Sequence, residues 1–313
     1  MEYRNLGSTG LKVSVVGIGC NNFGRRCDQG TTKSIVDKAI DSGITLFDTA
    51  DAYGPTGLSE EYLGKALQGR RQETVIASKF GSPMGEGDLM RGASPRYLIN
   101  AVEASLKRLD TDYLDLYQLH FPDASTPIEE TLTALDSLIR QGKVRYIGNS
   151  NFSGWQIADA EWTARSGNLN RFVTAQNLYS LLDRRIEREV VPACQRFGLG
   201  ILPYFPLASG MLTGKYTRGE APPQGSRLEQ WGGRAATALS DRNFEIVENL
   251  TAFAEEREHS LLELAFSWLA SLPYISSVIA GATSPDQVSA NAAAASWKLS
   301  AEEQQQVAEI SKQ

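Results

Sequence analysis

TVIASKF (Thr74–Phe80) and YLDLYQLH (Tyr113–His120) are two apolar runs rich in β-formers, and a stretch of helical periodicity from Ser94 to Leu109 separates them. Strands with a helix between them form the unit that joins parallel neighbours in a sheet. This stretch therefore predicts one strand–helix–strand unit.

The same alternation runs along the whole chain, after a predicted N-terminal hairpin of Tyr3–Leu6 and Leu11–Val13. The predicted strands are Val15–Gly19, Ile44–Ala50, Thr74–Phe80, Tyr113–His120, Lys143–Asn151, Phe172–Gln176, Gly200–Tyr204 and Ser276–Gly281. The predicted helices are Thr31–Ser42, Ser59–Leu67, Ser94–Leu109, Pro127–Gln141, Ser153–Ser166 and Arg185–Phe197, with further helical stretches beside the last strand.

At 313 residues, this pattern predicts a single α/β domain over 1–313, a (β/α)8 TIM barrel with an N-terminal β-hairpin and extra helical and loop segments. One long segment, residues 206–240, is rich in Gly and Pro and reads as irregular. Loops of that length usually form lids or binding loops. We expect it to lie over the functional site.

Composition excludes several classes of protein. The net charge is −6 without a basic run, which argues against nucleic acid or anionic membrane as a partner. No apolar stretch approaches the ~20 residues of a membrane span, and the N-terminus lacks a signal-peptide core. The three cysteines are scattered and there are two histidines, so we expect a cytoplasmic protein without disulfides or a bound metal.

Polar residues or glycine stand at the ends of seven of the eight predicted strands. They are Asp48, Lys79, His120, Ser150, Asn151, Gln176, Tyr204 and Gly281. In a barrel of this kind the chemistry takes place at the carboxyl ends of the strands. These residues are therefore the candidate site.

Tyr53 follows Asp48 by five residues and completes a group that fits acid–base chemistry. A lysine ammonium near a phenol favours the phenolate, and an aspartate behind the lysine keeps it charged. The imidazole of His120 fits a role in orienting a substrate carbonyl. Taken singly, Asp48 and Lys79 also fit a structural ion pair, Tyr53 a packed loop aromatic, and His120 a structural histidine.

Ser150, Asn151 and Gln176 offer hydroxyl and amide groups at neighbouring strand ends, and Tyr204 offers an aromatic face. Together they suit a planar carboxamide on an aromatic ring, which describes nicotinamide. The alternative is that Asn151 caps the next helix and Gln176 is a loop residue.

The chain resembles the aldo-keto reductase superfamily over essentially its whole length, most closely the bacterial members allied to potassium-channel β subunits. The matching motifs, in the family's order, are FDTADAYG (Phe47–Gly54), ASKF (Ala77–Phe80), SLKRLDTDYLDLYQLHFPD (Ser105–Asp123), TPIEETLTALDSLIRQGKVRYIGNSNFS (Thr126–Ser153), AQNLYS (Ala175–Ser180), PLASGMLTGKY (Pro206–Tyr216) and AGATSPDQVSAN (Ala280–Asn291).

The resemblance implies hydride transfer from NADPH, with NADH as an alternative, to the carbonyl of a small aldehyde or ketone. It makes Tyr53 the general acid, Lys79 and Asp48 the groups that tune it, and His120 the group that orients the carbonyl. It assigns cofactor contacts to Cys20, Asn21, Asp48, Ser150, Asn151, Gln176, Tyr204, Phe205, Pro206, Leu207, Ala208, Ser209, Lys215, Arg227, Gly281, Thr283, Gln287 and Asn291. The expected substrate contacts are Phe23, Arg25, Tyr53, His120, Phe121 and Trp231.

Two further readings stay open beside the reductase. A nucleotide-sensing binding or regulatory subunit would need the same cofactor contacts without turnover. A metal-dependent sugar isomerase would need carboxylate and histidine ligands at the rim, and a chain with two histidines in all argues against it. The resemblance implies a monomer or a weak homo-oligomer.

Overall fold

The computed structural model describes residues 1–312, apart from the side chain of Arg234. Its N-terminal hairpin pairs β1 (Tyr3–Asn5) with β2 (Lys12–Ser14) in antiparallel register. The turn of the hairpin packs against the amino ends of later strands. The Gly7 N–H donates to Ser276 Oγ at 3.0 Å, and the Ser8 N–H donates to the Gly198 carbonyl at 3.0 Å. The hairpin thus covers the end of the barrel opposite the predicted site.

The eight strands that follow are parallel and stand side by side in chain order, except that the last lies beside the first. They are β3 (Val16–Gly19), β4 (Leu46–Asp48), β5 (Val75–Phe80), β6 (Leu114–Leu119), β7 (Val144–Ser150), β8 (Phe172–Gln176), β9 (Gly200–Ile201) and β10 (Val278–Gly281). Parallel bridges join Ile201 to Ile275 and Tyr204 to Ile279, which closes the ring. The (β/α)8 fold class is confirmed.

Helices on the outside of the ring are α1 (Gln29–Asp41), α2 (Leu58–Ala66), α3 (Pro95–Leu109), α4 (Ile128–Arg140), α5 (Gly154–Ser166), α6 (Val190–Phe197), α7 (Arg227–Trp231), α8 (Asp241–Glu255), α9 (Leu261–Ser271), α10 (Pro285–Ala294) and α11 (Ala301–Ile310). Each of the longer ones buries one face; α4, for example, buries Leu132, Leu135 and Leu138. Among the described residues no helix is both long and apolar enough to cross a membrane.

Three predicted elements differ from the structure. The helix predicted over Arg185–Phe197 is a 3₁₀ turn (Arg185–Arg188) followed by α6, because the Pro192 ring would clash with the Arg188 carbonyl in a continuous helix. The seventh strand is shorter than Gly200–Tyr204, since Pro203 has no N–H to pair. Residues 206–240 are not wholly irregular: they contain a 3₁₀ turn (Ala208–Thr213), α7, which begins after its cap Ser226, and a 3₁₀ turn (Gly232–Ala235).

The core has two parts. The inside of the barrel holds a small cluster that includes Leu46, Ala77, Leu116 and Leu202, and it is continuous with Leu6 of the hairpin. A larger cluster fills the space between the strands and the surrounding helices. Strand register then fixes the rim: Asp48 stands opposite Ala77, Lys79 opposite Gln118, and Ser150 opposite Gln176.

Replacing Gly7 tests the contact between hairpin and barrel. Gly7 has φ +58°, and a Cβ there would lie 2.3 Å from the Val173 carbonyl oxygen and 2.8 Å from the Gly200 nitrogen. Gly69 has φ +79° but open space around it. We expect Gly69→Ala to lower the free energy of unfolding by about 1–2 kcal/mol, the cost of a left-handed residue. Gly7→Ala should lower it by at least about 2 kcal/mol more, because backbone must move.

Urea unfolding followed by circular dichroism measures both losses. Equal losses in the two variants would contradict the tight packing of the hairpin turn against the barrel.

Candidate active site

The carboxyl ends of the strands surround a cavity of about 820 Å³. Asp48 and Lys79 meet at its floor, where Lys79 Nζ donates to Asp48 Oδ2 at 2.6 Å and to the Thr49 carbonyl at 2.8 Å. Both side chains are almost fully buried. Burial alone would lower the pKa of Lys79, but the charges and hydrogen bonds of Asp48 and Tyr53 outweigh it and raise that pKa. Lys79 therefore stays charged.

Two amides also reach Asp48. Gln176 Nε2 donates to Asp48 Oδ1 at 2.8 Å, and Gln118 Nε2 donates to the same oxygen at 3.2 Å. The sequence assigned Gln176 to a cofactor carboxamide and gave no role to Gln118. The available signal was a polar residue inside the buried run LDLYQL, and in the structure Gln118 is fully buried.

Tyr53 lies in the cavity wall, with its hydroxyl 3.4 Å from Lys79 Nζ. The same ammonium stands 4.7 Å from the centre of the Tyr53 ring. Burial raises the pKa of Tyr53 above its usual value, and Lys79 offsets this only in part. Lysine thus moves the pKa of the phenol in the expected direction, but the net shift is upward. Tyr53 keeps its proton at neutral pH.

His120 stands beside Tyr53, with ring centroids 5.7 Å apart in an edge-to-face arrangement. Its Nδ1 lies 3.1 Å from Ser82 Oγ. Burial, together with the charge of Lys79, lowers the pKa of His120 to about 3. The imidazole is therefore neutral, and one nitrogen remains for a ligand in the cavity.

Ser150, Asn151 and Tyr204 also line the cavity and form a hydrogen-bonded group. Tyr204 Oη donates to Asn151 Oδ1 at 2.8 Å, and Asn151 Nδ2 donates to the His120 carbonyl at 3.0 Å. Ser150 Oγ donates to the Gln176 carbonyl at 2.9 Å. Asn151 has φ +62°, so its backbone is strained where its side chain bridges two strand ends.

Three cations line the outer part of the cavity: Arg26, Lys215 and Arg227. Among the described side chains, no carboxylate lies within ion-pair distance of any of them. Burial, followed by repulsion from Arg26, lowers the pKa of Arg227. Arg26 also donates to the Gly225 carbonyl at 2.7 Å, and the Arg227 guanidinium lies over the Phe205 ring. Cations gathered without acidic partners are suited to an anionic ligand.

Strained backbone occurs at and next to the residues of this loop that line the cavity. Phe205, Ala208 and Ser209 have φ of 55°, 45° and 59°, a left-handed conformation that costs roughly 1–2 kcal/mol for each non-glycine residue. Such strain persists only where surrounding contacts hold it, and it concentrates at binding sites.

The family model described as aldo/keto reductase matches residues 15–312. The chain belongs to the aldo/keto reductase family.

Several curated relatives of this aldo/keto reductase cover most of its length. It is 38% identical to a probable voltage-gated potassium channel subunit beta of Oryza sativa subsp. japonica, over 93% of this chain and 90% of that protein. It is 33% identical to an L-glyceraldehyde 3-phosphate reductase of Escherichia coli (strain K12), over 93% and 86%. It is 35% identical to the aldo-keto reductase YhdN of Bacillus subtilis (strain 168), over 98% and 92%.

These relatives bear out the resemblance seen in the sequence. Family membership and the reductase names support an oxidoreductase that acts on small carbonyl compounds. Aldo/keto reductases generally use NAD(P)H.

Most of the residues assigned from the sequence line the cavity of this aldo/keto reductase. They are Asn21, Asp48, Tyr53, His120, Phe121, Ser150, Asn151, Gln176, Tyr204, Phe205, Pro206, Leu207, Ser209, Lys215, Arg227, Gly281, Thr283, Gln287 and Asn291. Lys79 lies behind this wall, against Asp48. Within residues 1–312, no group of three or more His, Cys, Asp or Glu is placed to hold a metal ion.

Besides Lys79, five assigned residues do not line the cavity. Cys20 and Phe23 are fully buried in the core, because the loop after β3 turns inward. Arg25 is exposed beside them, and Ala208 packs against the core. Trp231 is 40% exposed at the end of α7. Conversely, Asn22, Arg26, Thr213 and Leu262 line the cavity and were not assigned to it.

The neutral state of His120 can be measured. We expect ¹⁵N NMR at pH 5 to show one protonated and one unprotonated imidazole nitrogen for His120, because burial and Lys79 both disfavour the imidazolium. The chain has two histidines, so the spectrum of His259→Gln assigns the signals. Two protonated nitrogens on His120 at pH 5 would contradict the lowered pKa.

Proposed function

We propose that this chain reduces an aldehyde or ketone with NADPH, and that Tyr53 donates the proton to the carbonyl oxygen. The observation that carries the proposal is the Asp48–Lys79–Tyr53 chain of contacts, at 2.6 and 3.4 Å, in the floor of a cavity that His120 also faces. A purely structural ion pair would not need a phenol and a neutral imidazole beside it.

The cavity wall fits a dinucleotide. Its outer part carries Arg26, Lys215 and Arg227 without acidic partners among the described residues, which suits phosphate groups. Its inner part carries amide, hydroxyl and aromatic groups that suit a nicotinamide carboxamide: Ser150, Asn151, Gln176 and Tyr204. Thr283, Gln287 and Asn291 stand beside Gly281 for the adenosine end. When bound, the reduced cofactor supplies the hydride.

The protein's own residues then perform the proton chemistry. The raised pKa of Tyr53 keeps the phenol protonated, so it is ready to donate to a carbonyl oxygen. Lys79 stabilises the phenolate that remains, and Asp48 holds Lys79 in place. His120, being neutral, donates a hydrogen bond to the carbonyl and orients it.

Preference for NADPH over NADH rests on the cations. The sequence places Ser284 and Pro285 where many relatives have a basic residue near a 2′-phosphate. In the structure Ser284 caps α10. The side chains that remain for that phosphate are Arg26, Lys215 and Arg227, two of which come from residues 206–240.

Tyr53→Phe tests the general acid. Removing only the proton donor should lower kcat by about 10²- to 10⁴-fold and leave NADPH binding intact. The assay is loss of NADPH absorbance with 4-nitrobenzaldehyde, together with a fluorescence titration of NADPH. Tyr113→Phe is the matched control, because its hydroxyl contacts Gln72 away from the cavity. Undiminished turnover in Tyr53→Phe would refute the role.

The cofactor preference has its own test. Arg227→Gln should weaken NADPH binding by about 10- to 100-fold, the value of one charged hydrogen bond, and should weaken NADH less. Arg25→Gln, exposed and outside the cavity wall, serves as the control. Equal losses for NADPH and NADH would contradict the assignment of this cation to the 2′-phosphate.

A nucleotide-sensing subunit is the second candidate, favoured by the similarity to a protein named as a channel subunit beta. It predicts tight NADPH binding without turnover of any compound in a broad carbonyl panel. Turnover that depends on Tyr53 would exclude a purely sensing role.

A further inference from the structure

A second chain of buried contacts leads to His120 from behind the cavity. Asp51 lies two residues before Tyr53, and Tyr97 stands in the first turn of α3. Tyr97 Oη is 3.2 Å from Asp51 Oδ2 and 3.1 Å from the Ser82 carbonyl oxygen. Ser82 Oγ in turn is 3.1 Å from His120 Nδ1. All four residues are at most 9% exposed.

The hydrogen-bond directions in this series of contacts depend on whether Asp51 carries a proton. The Tyr97 hydroxyl has one proton, so it can donate to Asp51 or to the Ser82 carbonyl, but not to both. If Asp51 carries a proton, its carboxyl donates to Tyr97 Oη and Tyr97 donates to the Ser82 carbonyl. If Asp51 is ionised, its carboxylate accepts the hydrogen bond from the Tyr97 hydroxyl, because charge-assisted bonds are stronger. The Ser82 carbonyl then loses its donor.

The groups around Asp51 determine the pH at which its carboxyl loses the proton. The titratable and charged groups around it are Glu60 on α2, Tyr97 and Arg108 on α3, and Tyr117 on β6. On β5, the Lys79 ammonium is bound to Asp48. Arg108 does not pair with Asp51, since it binds Glu60 at 2.7 Å. The Ala52 backbone N–H and the charge of Arg108 act to lower the pKa of Asp51, but no N–H or O–H among the described residues makes a well-aligned hydrogen bond to its Oδ1.

Burial, followed by the charge of Glu60, raises the pKa of Asp51 to about 7. Burial and the charge of Asp51 also raise the pKa of Tyr97, so its hydroxyl stays protonated. Among Asp51, Tyr97, Ser82 and His120, the Asp51 carboxyl is therefore the group that gains and loses a proton near neutral pH.

We propose that Asp51 and Tyr97 are positioning residues that act through Ser82 to hold His120 in the neutral tautomer with its proton on Nε2, and that they do so only when Asp51 is protonated. When Tyr97 holds Ser82, the Ser82 hydroxyl donates a hydrogen bond to Nδ1, and the Nε2–H remains free to bind a ligand. The kinetic consequence rests on the proposed carbonyl reduction; the tautomer itself does not.

The kinetic test is the pH profile of kcat/KM for 4-nitrobenzaldehyde reduction. In the wild type we expect a three- to tenfold fall as pH rises through about 7, the factor for one ordinary hydrogen bond. Asp51→Asn keeps a donor that cannot ionise, so it should retain the low-pH value and lose the transition. Asp51→Ala and Tyr97→Phe should be low at every pH. A transition near pH 7 that persists in Asp51→Asn would overturn the proposal.

An independent readout separates this inference from the proposed function. In ¹⁵N NMR of the full chain without substrate, His120 should be mostly protonated on Nε2 at pH 6 and a mixture of tautomers at pH 8.5. Asp51→Asn should hold the pH 6 pattern throughout. A His120 spectrum that is the same at both pH values in the wild type would overturn the proposal. The expected tautomer shift without turnover of any carbonyl would instead overturn the reductase function and leave the inference standing.

Discussion

The buried ion pair between Asp48 and Lys79 is the interaction on which the site depends. Removing both charges from water costs several kcal/mol per ion, so the pair persists only because other groups satisfy it. Lys79 also donates to the Thr49 carbonyl, and Gln118 and Gln176 both donate to Asp48. Four strands, β4, β5, β6 and β8, thus converge on one carboxylate, and their register keeps it at the mouth of the barrel.

Burial, and after it the charge of Lys79, sets the protonation of the two neighbouring groups. The charge of Lys79 lowers the pKa of His120 and that of Tyr53, while burial acts in the same direction on His120 and in the opposite direction on Tyr53. The result is a neutral imidazole beside a protonated phenol.

The outer part of the cavity differs from the floor in its charge and backbone conformation. It gathers cations that repel one another and backbone in left-handed conformations, both of which oppose folding. The contacts that compensate come partly from the loop itself, as when Arg26 binds Gly225. The polar groups at the floor of the site are therefore satisfied within the protein, whereas the cations of the outer wall have no acidic partner among the described residues.

The sequence alone determined the order of strands and helices and the rim at which the chemistry lies. Hydrophobic periodicity is local, and the end of a parallel strand fixes which edge a residue such as Asp48 or His120 occupies. Only the tertiary structure decided how deeply residues are buried and which of them pair. It shows that Phe23 and Cys20 are buried, that Arg26 lines the cavity, that Gln118 donates to Asp48 and that Tyr97 bonds to Asp51. Contacts of this kind join residues far apart in the chain, such as Gln176 and Asp48, and burial of one residue involves several elements at once. Neither feature produces a local pattern in the sequence.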